Sequence, residues 1–277
     1  MFNRIFAAAI LILCCISSHA QSQLPFAELL WKGQAVPFYG NAQTQRQGQI
    51  LEAVRRSNLA ERMVSVVNNS VRLHHNLGIG FTSCGNPNAF FDRSKSAIVF
   101  CLEMVELIAD LAKEDEEIAM KLDKTEFART IDGAIWGIFF HELGHAVIGV
   151  NNVPVTGREE DVADQFAVFY AVNFIEPQNI PVILPTIWLF RLMERKSDIA
   201  SANQDQLKRL MSDEHSLDMQ RVFNLACWAY GANSSRGAVA ANFVKLPQER
   251  GARCPNEWAT VDYGLRSRFK KYFRNQR

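Results

Sequence analysis

The sequence has almost no net charge. Its 30 Lys and Arg residues stand against 29 Asp and Glu residues, which gives a formal charge of +1 at pH 7. Arg4 is the one charged residue among the first 20, so a chain without this segment would be neutral. A neutral chain has no field strong enough to attract nucleic acid or an anionic lipid surface. We therefore predict no nucleic-acid partner.

Long apolar runs are missing after the N-terminal segment, and a transmembrane helix needs about 20 apolar residues. The run from Ile5 to Ile16 is too short to span a bilayer comfortably. It follows a basic residue and precedes Ser18-His-Ala20, which has small residues where a signal peptidase cleaves. The sequence thus predicts a signal peptide over Met1–Ala20, cleaved near Ala20. The mature chain would be secreted or periplasmic, without a stable membrane span.

Cysteine is scarce, and no Cys-x-x-Cys pair is present, which argues against a zinc site built from cysteine. Four cysteines remain after Met1–Ala20: Cys84, Cys101, Cys227 and Cys254. An even number in an exported chain indicates disulfides, with three connectivities. Nearest-neighbour pairing would close two short loops, each worth about 3 kcal/mol in the chain-entropy model. The sequence leaves the other two connectivities open.

One short segment is typical of a metal site. Residues His141 to His145 read His-Glu-Leu-Gly-His, and helical residues four apart share a face with Cβ atoms about 5–6 Å apart. Two imidazoles at that spacing can each give one nitrogen to a single metal ion, and the geometry suits Zn²⁺. Glu142 lies about 100° further round the helix. There it can act as a general base on water at the open coordination position.

The surroundings of this segment indicate a buried helix. From Phe127 to Val150 the chain has no proline and repeats apolar residues at near-helical spacing, and turn signals follow at residues 149–154. Gly144 costs a helix interior about 1 kcal/mol relative to alanine. We therefore expect another backbone or a substrate to approach that face closely. Two core histidines and a surface glutamate are the alternative, but burying their polar groups unpaired would be costly.

A third metal ligand is expected after this helix. Residues 157–167 open a second apolar helix that is predicted to run to about Phe174. Zinc held by two histidines needs at least one more protein ligand, and a carboxylate from a following helix often supplies it. Glu160 is our choice. An acidic first turn favoured by the helix dipole, with no metal, is the competing interpretation.

Asp164 is expected to orient one of the histidines. It follows Glu160 by four residues and so lies on the same helix face. Its carboxylate can accept the spare N–H of His141 or His145, which would fix the tautomer of that ring.

Together the two motifs resemble a known class of metallopeptidases. His141-Glu-x-x-His145 followed by Glu160-x-x-Ala163-Asp164-x-x-Ala167 is similar to the gluzincins, in particular to the Glu-x-x-Ala-Asp helix of the CAAX-prenyl-protease type. The mature chain as a whole resembles a bacterial family of exported metallopeptidases of unassigned role. That similarity lies in these segments: Cys84-Gly85, Asn88-Ala-Phe90, Gly157-Arg-Glu-Glu-Asp161 and Asp213-Glu-His-Ser216.

The resemblance implies a zincin-like fold and a role for each motif residue. The zinc ligands would be His141, His145 and Glu160, with Glu142 as general base and Asp164 orienting a ligand. Two departures stand out: the prenyl proteases are membrane-embedded and this chain is not, and the spacing from His145 to Glu160 is short for gluzincins. Glu159 and Asp161 therefore stay open as alternative ligands.

A later histidine is a further catalytic candidate. Asp213-Glu-His215-Ser216 is predicted to start an amphipathic helix through Trp228, with Asp213 or Ser216 near the N-cap. Gluzincin-like sites often use such a histidine to stabilise a developing oxyanion, a donor worth about 3 kcal/mol. A histidine that makes only local hydrogen bonds at the helix start is the alternative for His215.

The remaining pattern predicts an α+β fold that is mainly α. Helices are expected from Thr44 to Val67 and from Glu103 to Leu122. Leu77–Cys84 and Ser96–Leu102 predict a small antiparallel sheet, which a Cys84–Cys101 disulfide would staple. Residues 21–41 are interpreted as an N-terminal arm and residues 42–277 as one zincin-like metallopeptidase domain.

The sequence therefore predicts an exported zinc metallopeptidase that hydrolyses a peptide or protein substrate, with Glu142 as general base. Two other classes stay open. In the first, the protein binds zinc but is catalytically inactive, as a structural or protein-binding module; retention of Glu142 argues against it. In the second, an exported helical domain binds a partner protein and the motif is incidental.

Overall fold

The computed structural model describes residues 31–115, 122–175, 181–197, 203–205, 208, 212 and 215–274. The predicted signal peptide, residues 21–30 of the predicted arm, and Asp213 and Glu214 lie outside these ranges. Within them the chain has a mainly helical α+β fold with a small sheet. The predicted class, α+β and mainly α, is confirmed at that level.

A mixed sheet forms from four strands of the described residues, in the order β1-β2-β4-β3: β1 Ala35–Tyr39, β2 Leu77–Thr82, β3 Ala89–Asp92 and β4 Ala97–Cys101. β2 is parallel to β1 and to β4, and β3 is antiparallel to β4. The predicted antiparallel pairing of the second and fourth strands is therefore wrong. The loop at residues 83–88 connects β2 to β3 across the position of β4, so that β4 lies between these two strands. The antiparallel hairpin is therefore formed by β3 and β4.

The first strand comes from the segment interpreted as an arm. β1 pairs with β2 from Ala35 to Tyr39, and the N–H of Gly40 donates to the carbonyl of Phe81. This part of the segment is therefore built into the sheet. The division between an arm at residues 21–41 and a domain at residues 42–277 stays a prediction.

Helices make up most of the described chain. They are α1 Gln45–Arg56, α2 Leu59–Ser70, α3 Leu102–Glu114, α4 Lys124–Asn151, α5 Glu159–Tyr170, α6 Ile183–Ser197, α7 Asp218–Ala232, α8 Ser234–Phe243 and α9 Gln248–Phe269. The single helix predicted from Thr44 to Val67 is wrong, since Asn58 separates α1 from α2 with a φ of 50°. A left-handed residue ends the helical hydrogen-bond ladder. Residues 116–121 of the helix predicted to follow Glu103 lie outside the described ranges.

The central element is α4, which contains the His-Glu-x-x-His motif. It begins with a capping box in which Asp123 accepts from the Glu126 N–H, and it ends where Asn152 adopts a left-handed conformation. Among the described residues this helix has the length and apolarity to cross a membrane, but 89% of its most apolar window is buried inside the protein. It is the core helix of the fold.

Gly144 is where the next helix comes closest to α4. A Cβ at this position would lie 3.0 Å from the Ala163 Cα and 3.3 Å from the Phe166 Cβ, both on α5. The close approach expected at Gly144 is thus confirmed, and the approaching group is a helix. It brings the first turns of α5 against the motif face of α4.

Both nearest-neighbour disulfides are present. Cys84 bonds to Cys101 and Cys227 bonds to Cys254. The first ties the loop after β2 to the end of β4, and the second joins α7 to α9. Disulfides persist in oxidising compartments. The two disulfides therefore indicate that the protein is located in such a compartment.

The start of α7 differs from the prediction. The helix begins at Asp218, and its N-cap position is occupied by Leu217, without a side-chain capping bond. The Ser216 hydroxyl instead donates to Asp161 Oδ1 at 2.7 Å. Ser216 thus lies next to the N-cap position, as predicted, but its side chain does not cap the helix, because its hydroxyl bonds to α5.

Candidate metal centre

Two imidazoles meet on the buried face of α4. His141 and His145 are one helical turn apart, and their Nε2 atoms lie 3.2 Å from each other. Both side chains are largely shielded from solvent, with 8% and 13% of their surface exposed. The helix thus brings two nitrogen donors together, as its sequence spacing predicts.

Glu160 adds an oxygen donor from α5. Its Oε2 atom lies 3.1 Å from Nε2 of His141 and 3.3 Å from Nε2 of His145. A tetrahedral ion with metal–donor distances of about 2.0–2.1 Å places neighbouring donors about 3.3 Å apart. The three atoms therefore have the spacing of one face of such a tetrahedron. Two nitrogens and one carboxylate oxygen fit a divalent ion of zinc type.

The other acidic residues of the first turn of α5 point elsewhere. Glu159 Oε1 lies 2.8 Å from Nδ1 of His145, on the far side of that ring. Asp161 accepts the hydrogen bond from Ser216. Both alternatives to Glu160 thus have partners away from the paired Nε2 atoms.

Asp164 lies behind His141, and a buried arginine holds it there. Its Oδ1 atom is 2.8 Å from Nδ1 of His141. Arg221, on α7, donates two hydrogen bonds to the same carboxylate, from Nε at 2.8 Å and from Nη2 at 2.7 Å. Burial favours the neutral acid, yet the Arg221 charge and the bond from His141 hold the pKa of Asp164 well below its usual range.

Glu159 is held behind His145 in the same manner. Arg93, in the turn between β3 and β4, donates from Nη2 to Oε1 and Oε2 of Glu159 at 2.5 and 2.7 Å. Each motif histidine therefore has a carboxylate on Nδ1 and an arginine behind that carboxylate. A hydrogen bond at Nδ1 fixes the tautomer and leaves Nε2 available as a ligand.

The carboxylates give the centre a strong preference for positive charge. Burial disfavours the charged imidazole, but Asp164 and Glu160 raise the pKa of His141 to about 9. Burial likewise disfavours the Glu160 anion, yet hydrogen bonds from the histidines hold the pKa of Glu160 well below its usual range. A bound cation would satisfy the same charges.

Glu142 lies close to both histidines and at the wall of the neighbouring pocket. Its side chain lines the pocket next to them, although the residue is only 7% exposed. Burial raises the pKa of Glu142, whereas the adjacent His141 and His145 and a hydrogen bond from the Phe91 backbone N–H act to lower it. The carboxylate is thus a basic group next to the three donor atoms.

His215 also reaches this centre. Its Nε2 atom lies 3.0 Å from Glu160 Oε2, and 44% of its side chain is exposed. The ligand atoms of His141, Glu160 and His215 all lie within 4.8 Å of one another. The structure therefore brings the predicted residues on α4, α5 and the segment before α7 into a single cluster.

The centre opens into a pocket of about 340 Å³. Its wall includes Pro87, Asn88 and Ala89, at and before the start of the edge strand β3, together with His141 and Glu142. A second group of possible metal ligands near β4, Glu103 with Cys84 and Cys101, is not comparable. Its sulfurs form a disulfide and are not available as thiolate ligands.

Sequence reasoning missed the two arginines. Arg221 had a detectable signal, because Arg221, Leu225 and Trp228 repeat at helical spacing, which puts a cation on the buried face of α7. Such a cation needs a buried partner. Arg93 had no comparable signal, since it sits among polar residues of a turn and meets Glu159 only in the folded chain.

Comparison with protein-family models matches residues 39–264 to a family described as "Putative metallopeptidase". No curated protein and no solved structure matches the chain. The matched range begins at Tyr39, the last residue of β1, and covers the other three strands and nearly all of the described helices. It includes every residue of the metal centre.

Proposed function

This chain belongs to the family described as putative metallopeptidases, and we propose that it is an exported, zinc-dependent metallopeptidase of the gluzincin type that hydrolyses peptide bonds. Membership of this family implies a metal ion and a protein substrate. The observation that carries the proposal is the triangle of His141 Nε2, His145 Nε2 and Glu160 Oε2, with sides of 3.1 to 3.3 Å, next to the buried carboxylate of Glu142.

His141, His145 and Glu160 would hold the zinc. Bound there, zinc supplies Lewis acidity, which polarises a scissile carbonyl and makes water a stronger acid. Asp164 and Glu159 hold the two imidazoles by Nδ1, which would leave each Nε2 available as a ligand. The charge on these carboxylates supports the choice of a divalent cation.

Glu142 would carry the proton in the reaction. Its carboxylate takes a proton from the attacking water and passes it to the nitrogen of the leaving amine. A base needs a pKa near the working pH, and burial shifts the pKa of Glu142 in that direction. Its place on the pocket wall supports this role.

His215 would donate a hydrogen bond to the oxyanion that develops at the cleaved carbonyl. Its Nε2 atom is directed toward the ligand Glu160, and its ring lines the pocket. A hydrogen-bond donor directed at the developing charge stabilises the transition state by about 3 kcal/mol. His215 can move more freely than the ligands because nearly half of its side chain is exposed.

The edge strand β3 is suited to align a peptide. The Cys101 N–H donates to the Asn88 carbonyl, so in the antiparallel ladder the backbone groups of Ala89 point away from β4. The Phe91 N–H, on the same free edge, bonds to Glu142. An extended substrate pairing at Ala89 would therefore pass beside the general base.

Export is proposed from two independent features. Residues 1–20 have the pattern of a cleavable signal peptide, and two disulfides lie in the folded chain. The protein would act in the periplasm or outside the cell, where disulfides persist. The helix and ligand order, with the motif on α4 and its third ligand on α5, supports a zincin-like fold.

Glu142→Ala tests the mechanism directly. The variant is expected to bind zinc with wild-type stoichiometry and to lose at least about 100-fold in kcat on peptides, because the base is gone and the ligands are kept. His141→Ala should lose both metal and activity. Elemental analysis and a peptide-library digest with and without chelator measure the two properties. Glu249→Ala, exposed on α9, is the control.

The outcomes separate the candidate functions. Equal turnover by wild type and Glu142→Ala would contradict this mechanism. Stoichiometric zinc without hydrolysis of any library peptide would instead indicate a zinc-binding module without activity. Absence of bound metal at neutral pH would indicate that the motif is incidental to a partner-binding role.

A further inference from the structure

The pocket beside Glu142 has a wall of large apolar side chains. They come from three helices and from the residue before α7, and are Met104 on α3, Ile138 on α4, Phe190 and Met193 on α6, and Leu217. Ile138 lies one turn before His141 and Glu142 on the same helix. The apolar wall is therefore in direct continuity with the proposed catalytic groups.

The one Arg or Lys side chain among the described residues that line the pocket, Arg221, is already paired with a buried carboxylate. Arg221 lines the pocket, but two of its nitrogens bond to Asp164, and its guanidinium lies 4.0 Å from the centre of the Phe190 ring. Asp218 lies one turn before Arg221 on α7, and the two side chains attract each other. Glu194, which directly follows Met193, adds a further negative charge close to Asp218.

We propose that this pocket binds a large apolar side chain of the substrate, such as leucine, methionine or phenylalanine, next to the cleaved bond. The proposal rests on the proposed function of the same site. A volume of about 340 Å³ is within the range of small-molecule pockets and leaves room for an aromatic ring. Burial of apolar surface against the wall provides the binding energy.

Two methionines shape the pocket and explain why several apolar side chains would fit. Met104 and Met193 are each only partly buried and approach from different helices. A methionine side chain is unbranched, with a polarizable sulfur, so it adapts its shape to aliphatic and aromatic partners alike. The site should therefore select for apolarity and size and discriminate weakly among leucine, methionine and phenylalanine.

A cationic side chain is the competing substrate. Asp218 faces the pocket, so a lysine or arginine could extend along the apolar wall to this carboxylate. We favour the apolar side chain because Arg221 already lies next to Asp218 and would repel a second cation. A test must therefore compare apolar, cationic, acidic and small side chains.

A peptide library with one randomised position on each side of the bond provides this comparison. Digestion by the zinc-loaded mature chain, with cleavage sites identified by mass spectrometry, should show leucine, methionine and phenylalanine enriched at one position. A gain of about tenfold or more in kcat/KM over glycine is expected. Enrichment of lysine and arginine, or equal cleavage of all side chains, would overturn the proposal and leave the peptidase assignment intact.

Variants of the wall locate the preference in this pocket. Met193→Glu should lower kcat/KM for the leucine substrate at least tenfold while zinc stoichiometry stays at the wild-type value. Met104→Glu, on another helix, should have the same effect and serves if the first variant does not fold. Met219→Ala, on α7 and not part of the wall, is the control. Unchanged selectivity in both folded glutamate variants would overturn the proposal.

Ligand binding separates this proposal from the peptidase mechanism. Peptide hydroxamates with a leucine, lysine or glycine side chain are titrated into the zinc-loaded chain by calorimetry. Tighter binding of the leucine compound without hydrolysis of any peptide would support the pocket and overturn the proposed activity. Equal binding of the three compounds, or no binding, would overturn the pocket proposal.

Discussion

At the residue scale, the centre depends on what lies behind each imidazole. His141 and His145 both present Nε2 to the same point, because a carboxylate takes Nδ1 of each ring. The two supports differ in burial. The side chain of Asp164 is 7% exposed and that of Arg221 is 9% exposed, whereas those of Glu159 and Arg93 are 29% and 56% exposed. Solvent screens the second pair more strongly.

This difference predicts unequal effects of removing the two charges. Asp164→Asn should weaken zinc binding about 10- to 100-fold, as loss of an orienting carboxylate commonly does. Glu159→Gln should have a smaller effect, because its pair with Arg93 is exposed. Competition with a chromogenic chelator measures both affinities. Asp161→Asn, which affects the bond to Ser216, is the control. A loss of zinc in this control alone would point to Asp161 in place of Glu160 as ligand.

Glu103 gives the chain a pH-dependent contact outside the metal centre. Burial favours its neutral form, but Ser83 and the backbone N–H groups of Cys84 and Gly85 donate to the carboxylate, so that the pKa falls from 4.5 to about 2. A depressed pKa means that the native state favours the ionised form. Glu103 therefore holds the loop that leads to the pocket wall.

Glu103→Gln should lower the free energy of unfolding above pH 4.5, where the ionised Glu103 carboxylate of the wild type makes its full contribution to stability. This contribution is lost as the pH falls from about 4.5 to 2, so the difference between wild type and variant should shrink over that window. Thermal unfolding from pH 7 down to pH 2.5 measures it. Glu106→Gln, one turn further along α3, is the control. A difference that stays constant across the window would refute the role assigned to Glu103.

At the element scale, the contact between α4 and α5 places the third ligand. Gly144 lets the α5 backbone approach the motif face, and Glu160 then reaches both histidines. A helix interior ordinarily favours alanine over glycine by about 1 kcal/mol. Here the packing of two helices opposes that preference.

Gly144→Ala should destabilise the fold by about 1–3 kcal/mol, since its Cβ would press on Ala163 and Phe166 and force the helices apart. It should also weaken zinc binding by moving Glu160. Gly48→Ala is the matched control, because a Cβ at Gly48 on α1 meets nothing within 4 Å. That variant should be stabilised by about 0.5–1 kcal/mol. Denaturant unfolding and zinc titration of both variants measure these effects, and equal behaviour would contradict the packing argument.

At the scale of the whole molecule, the C-terminal residues close the fold back onto its N-terminal half. The Arg274 N–H donates to the Ser70 carbonyl at the end of α2, and Phe273 forms a β-bridge with Val71. The Phe273 ring packs against aromatic residues of α5, among them Phe166 and Phe169. The C-terminal residues thus pack against the helix that carries Glu160.

Phe273→Ala should lower the free energy of unfolding by about 3–5 kcal/mol, because it leaves a cavity among packed rings. Tyr263→Ala, 75% exposed on α9, should change it by less than about 0.5 kcal/mol. Denaturant unfolding compares the two variants. A small effect at Phe273 would show that the C-terminal contact is not part of the cooperative core.

Several features could be read from local sequence. Helical periodicity and the absence of proline identified α4, and the four-residue spacing placed His141 and His145 together. Cysteine neighbours gave the pairing found at Cys84–Cys101, although other connectivities were open. The break at Asn58 was missed because apolar residues recur at helical spacing on both sides of it, although Ser57-Asn58 is a pair that favours turns.

The sequence by itself determined the elements whose cause is local: the motif helix, the donor types and the face on which two histidines lie. Tertiary structure decided what depends on distant segments meeting: strand direction in the sheet, the position of Glu160 opposite Nε2, and the arginines behind Asp164 and Glu159. Helices and strands can be predicted from local sequence because their side-chain periods repeat every few residues. Contacts between Arg221 and Asp164, 57 residues apart, leave no period and arise only when packing brings their helices together.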